Sequence, residues 1–144
     1  MKAAELYDFD FAEWSRVNAE LLRAGRFGEI DLEHVAEEIE DLGTNKRSAL
    51  YNRFVRLIEH LLKWQFQPER RGTSWKRTMA EQRRRIRKLL DQNPSFLPTL
   101  GEVTQDAYRD AARLASITTG VALGDFPQTS PFSIEQLLDY EFLP

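Results

Sequence analysis

The chain contains no cysteine. Thiolate nucleophiles, thiolate metal sites and disulfide switches are therefore excluded, and the composition fits a reducing cytoplasm. Histidine is scarce, and His34 and His60 cannot supply the three imidazoles of a three-histidine metal-hydrolase site. No G-x-G-x-x-G, P-loop or G-x-S-x-G motif occurs, which removes the common phosphate cradles and the nucleophile elbow. No apolar run approaches the roughly 18 residues of a membrane helix. The opening MKAAELYDFDFAEW has acids and aromatics where a signal peptide needs a basic start and an apolar core. Period-two runs of β-branched residues are also missing, as are repeats and low-complexity segments. The expectation is a cytoplasmic protein with no membrane association, folded as a single helical domain over residues 1–144.

What is present has helical spacing. Asp10 with Glu13 forms a capping box, and Phe9 with Trp14 a hydrophobic staple, for a helix ending at Gly25. Asp31 starts the next helix, Leu32 to Leu42, whose apolar residues Leu32, Val35, Ala36, Ile39 and Leu42 fall within an arc of about 120°. A break at Gly43 is expected. The central helix follows, about Asn45 to Gln65, with Leu50, Phe54, Leu57, Ile58, Leu61, Leu62 and Trp64 over half its circumference. Pro68 and Gly72 reset the chain for a fourth helix from about Ser74 to Asp91, which buries Trp75, Met79, Ile86, Leu89 and Leu90. A fifth runs from about Pro98 to Thr119 on Leu100, Val103, Ala107, Ala111 and Leu114, with Gly120 as its cap. A short helix follows, capped by Ser133 and Gln136 and stapled by Phe132 and Leu137. The fold class predicted is all-α: an antiparallel bundle of about five helices with a C-terminal tail packed back on it.

Charge is segregated. Glu69 to Lys88 carries nine basic and two acidic residues, so this segment holds +7 of a chain whose net charge is −3. Asp31, Glu33, Glu37, Glu38, Glu40 and Asp41 form the opposite pole, without a lysine or arginine among them.

Two candidate sites follow. The first is a metal or polar site of Glu37, Glu38, Asp41, His60 and Lys63, because helical bundles gather carboxylates and imidazoles around divalent metals. The Glu37-Glu38-x-x-Asp41 run resembles the first half of the acidic signature of all-helical nucleoside triphosphate pyrophosphatases; the second acidic pair those enzymes need is replaced here by Glu59, His60 and Lys63. The bland alternative is a solvated acidic face and a histidine hydrogen-bonded at the core boundary. The second candidate is the basic face of Arg77, Arg83, Arg84, Arg85, Arg87 and Lys88, which could follow phosphates by counterion release. Trp75 lies on the apolar stripe of the same helix, which makes it core rather than a base-stacking platform, and the chain is acidic overall. Nucleic-acid binding through residues 70–88 is therefore the less favoured use.

The segments LYDFDFAEW, FGEIDLEHVAEEIEDLG, HLLKWQFQP, SW before QRRRI, and the closing FP, PFS and EQLLD occur in one order across Leu6 to Pro144. In these the chain resembles the bacterial domain-of-unknown-function family twenty-nine (DUF29). The resemblance implies an all-helical cytoplasmic protein, carries no activity, substrate or cofactor, and points to Glu37, Glu38, Glu40, His60 and Lys63 as the most family-like polar positions. The reading is a non-enzymatic interaction module with segregated acidic and basic faces, binding a protein partner or itself. The alternatives are a divalent-metal-dependent hydrolase of a phosphate ester or nucleotide, and a nucleic-acid binder.

Overall fold

The structure, a computed structural model, describes residues 1–144. It is all-α, without a strand: α1 (Ala3–Phe9), α2 (Phe11–Arg23), α3 (Leu32–Phe66), α4 (Thr73–Gln92), α5 (Leu100–Thr119) and α6 (Ile134–Leu138). The chain forms two compact units, Met1–Asn45 and Lys46–Pro144, and α3 contributes to both.

The break expected at Gly43 does not occur, and residues 32–66 form one 35-residue helix. Glycine inside a helix costs only about 1 kcal/mol against alanine. No proline accompanies Gly43, and the positive-φ glycines that do end helices are Gly25 and Gly120. Helix formers a turn away on either side, Glu38 and Glu40 before and Lys46, Arg47, Ala49 and Leu50 after, carry the helix through despite Asp41, Thr44 and Asn45.

In the first unit, Asp10 caps α2 as expected, its carboxylate accepting from the Glu13 backbone N–H at 3.1 Å. The preceding residues, which carry no recognised start signal, fold into α1. Trp14 is buried, whereas Phe9, the other half of the expected staple, is exposed. The apolar stripe of early α3 is also not buried: Leu32 is 72%, Ile39 62% and Leu42 64% exposed. Amphipathic spacing defines an apolar face, but covering it takes another element of matching surface.

The core lies in the second unit. The α3 residues Phe54, Leu57, Ile58, Leu61 and Leu62 are fully buried, joined by Met79, Ile86 and Leu90 of α4 and by Leu100, Ala107 and Ala111 of α5. Burying each large side chain contributes about 1.5–3 kcal/mol. Small residues, among them Ala112 and Ala115, are buried along α5, while Leu114, expected in the stripe, is exposed. Gly120 ends α5 at φ 76°. The tail returns to the bundle as Phe126, Phe132 and Leu137, and the Ser133/Gln136 capping box starts α6.

Candidate functional site

Apart from the exposed Arg77, the arginines and lysines of α4 divide into three groups by what they touch. Arg83, expected on an exposed basic face, is instead 1% exposed. Its Nε donates to the Leu137 carbonyl at 2.9 Å and its Nη2 to the Gln136 carbonyl at 3.1 Å. It satisfies the C-terminal carbonyls of α6, which a five-residue helix cannot pair internally. Burial pushes its guanidinium below the usual arginine value, with Asp139 opposing. Arg87 also holds the tail, donating from Nε and Nη2 to the Leu138 carbonyl and lying 5.0 Å from the centre of the Tyr140 ring. Lys76 sits over Trp64 at 5.6 Å, as does Arg71 at 5.3 Å from the loop before α4, and Lys63 covers Trp75 at 5.3 Å. These are cation–π contacts, and they leave Trp75 packed at the core edge.

The third group forms a site. Arg84, Arg85 and Lys88 of α4, with Lys46 and Arg53 of α3, line a groove of about 360 Å³ floored by Ala49 and Leu89. The spacing explains the convergence: 46, 49 and 53 share one face of α3, and 84, 85 and 88 share one face of α4. Glu81 accepts from Arg84 at 2.7 Å and from Arg85 at 2.8 Å, and those hydrogen bonds pull its carboxyl down to about 2. Arg53 reaches Gln82 Oε1 at 3.5 Å. One carboxylate thus stands against five cations, and the groove is strongly positive. Arg77 is exposed and does not line it.

The acidic candidates lie elsewhere. Glu37, Glu38 and Asp41 belong to the first unit and His60 and Lys63 to the second, with about six turns of α3 in sequence between Glu38 and His60. Glu37 and Asp41 are exposed, while Glu38 accepts a hydrogen bond from the Tyr7 hydroxyl. That bond, followed by burial, pushes the Tyr7 phenol up to about 12. His60 is 8% exposed, and its Nδ1 lies 2.8 Å from the Arg56 carbonyl. Burial lowers its pKa, the carbonyl contact opposing, so a neutral ring is favoured. Nowhere do three or more histidine, aspartate or glutamate side chains converge as a metal would require.

Spacing alone did not reveal a second polar cluster. In the first unit the buried Asp31 carboxylate accepts from the Trp14 indole at 2.9 Å and meets His34 Nδ1 at 2.7 Å. The Tyr7 ring stacks on His34 at 3.8 Å and 8°. Burial pushes the Asp31 carboxyl up, but the bonds from Trp14 and His34 outweigh it and hold it below its ordinary value. His34 is raised, chiefly by its bond to Asp31. The Asp31-to-His34 spacing of three was the available signal, and the Asp31 N-cap reading concealed it.

Fold and groove together define an all-helical protein with a basic inter-helical cleft. The family described as Domain of unknown function DUF29 matches residues 6–143, and the chain belongs to it. No curated protein and no solved structure matches the chain. No helix is long and apolar enough to cross a membrane.

Proposed function

We propose that this bacterial protein is a cytoplasmic, non-enzymatic interaction module whose basic groove receives an acidic helical surface of a protein partner. The observation that supports this is the groove itself: five cationic side chains on two rigid helices, in a chain of net charge −3. Its apolar floor of Ala49 and Leu89 suits a helix with an apolar edge between acids. No exposed aromatic lines the groove, so it lacks the stacking platform of a single-strand binder.

The test is fluorescence anisotropy of a labelled acidic helical peptide titrated with the full chain. Reversing Arg84, Arg85 and Lys88 together to Glu is expected to weaken binding at least about tenfold with the circular dichroism spectrum unchanged. Tighter binding of single-stranded DNA than of the peptide would overturn the reading. So would a stoichiometric divalent metal retained through purification and lost in Glu38→Ala, which would favour the hydrolase.

A further inference from the structure

We infer that a hollow between α5 and the returning tail is a binding site for a small amphipathic carboxylate, an apolar or aromatic body carrying one anionic head. The hollow lies wholly within the second unit and shares no residue with the basic groove.

Helical spacing builds one side of it. Around the axis of α5 the order is Tyr108, Ala112, Arg109, Arg113, over an arc of about 140°. Tyr108 and Ala112, at the inner end of that arc, are buried and form the floor; Arg109 and Arg113, at its outer end, stand exposed on the rim. The tail supplies the other side. Gly120 ends α5 in the left-handed conformation, and a 3-10 turn over Leu123–Asp125 leads Phe126 back to the core, edge-on to Phe66 at 4.8 Å. Phe126 is buried, and the next carbonyl, that of Pro127, accepts from the Tyr108 hydroxyl. Both walls are thus anchored without a ligand, which spares an incoming molecule the cost of ordering them. The hollow measures about 520 Å³, within the roughly 300–1,000 Å³ of small-molecule sites.

Two unsatisfied chemistries meet in this one concavity. Leu123 lines it and is 49% exposed. Arg113 lines it too and has no ion-pair partner. Arg109 is paired with Asp106 at 3.4 Å, and Asp110 accepts from the Tyr51 hydroxyl; both acids border a neighbouring hollow across the two arginines. One guanidinium is left over. Its planar fork matches a single carboxylate through two parallel hydrogen bonds, and the two nearby aspartates disfavour a phosphate dianion. A ligand with its head on Arg113 and its body over Ala112 and Leu123 satisfies the cation and covers the apolar surface together.

The test is titration of the isotope-labelled full chain with phenylbutyrate, followed by amide chemical shifts, with phenylbutylamine and phenyl phosphate as comparison probes. Phenylbutyrate is expected to shift residues 108–113 and 121–128 and to saturate with a Kd below about 10 mM. Arg113→Gln and Leu123→Ser, both at exposed positions, are each expected to weaken it at least about fivefold with the circular dichroism spectrum unchanged. The triple groove variant, Arg84→Glu/Arg85→Glu/Lys88→Glu, is expected to bind it as the wild type does. Equal binding of the amine, tighter binding of phenyl phosphate, or wild-type affinity in Arg113→Gln would overturn the carboxylate assignment. Shifts that do not saturate, or that centre on residues 46–53 and 84–88, would overturn the site.

Discussion

Arg83 is a charged residue used as a structural bolt. Because its guanidinium satisfies two α6 carbonyls from inside the second unit, Arg83→Met, which keeps much of the volume, leaves those acceptors unpaired. We expect a loss of about 1–3 kcal/mol in urea unfolding and faster amide exchange in residues 134–142, with far-UV helicity largely retained. A neutral outcome would mean that water replaces the guanidinium. The two histidines act in opposite directions on pH. His60 is held below its ordinary value, so the unfolded chain protonates first and stability falls as pH drops below about 6.5. His34 is held above its ordinary value, so its contribution is complete below about 6.5 and is lost as pH rises through the folded value. Urea midpoints measured across this range are expected to lose their acid-side slope in His60→Gln and their alkaline-side slope in His34→Gln. Identical profiles for all three proteins would remove both assignments.

Among the elements, α3 carries the most information, and Gly43 is its oddity. Gly43→Ala is expected to raise stability in urea unfolding by about 0.5–1 kcal/mol through helix propensity; an unchanged or lowered midpoint would mean that the added methyl group meets a neighbour. At the other end of the chain, Ser133 closes the capping box of α6. Ser133→Ala is expected to cost about 1 kcal/mol and, because Arg83 bonds to the same short helix, to cost less in an Arg83→Met background than alone. Strict additivity of the two would show that cap and arginine stabilise α6 independently.

At the scale of the whole molecule, two compact units share α3. We propose that residues 1–144 unfold as one domain, since melting either unit frays a helix the other needs. Trp14 lies in the first unit, Trp64 and Trp75 in the second. Single-tryptophan variants are expected to report coincident thermal transitions; separate transitions would mean two independently folding parts.

How much was legible varied with the kind of signal. The all-α class, the caps at Asp10 and Ser133, the stop at Gly120 and the buried face of late α3 followed from the sequence, because capping and periodicity act within a few residues. Continuity through Gly43 did not, since a lone glycine marks either a cap or a tolerated weak point, and only cooperation with flanking turns decides. Burial of Arg83 and exposure of Leu32, Ile39 and Leu42 were hidden for a related reason: side-chain chemistry states what a group prefers, whereas a tail carbonyl or a covering surface is supplied from far along the chain. The basic segment was visible as charge. Its division into a tail clamp, cation–π contacts and a groove was decided only when packing brought Lys46 and Arg53 beside Arg84, Arg85 and Lys88, because local sequence sets each helix's faces and tertiary contact sets which faces meet.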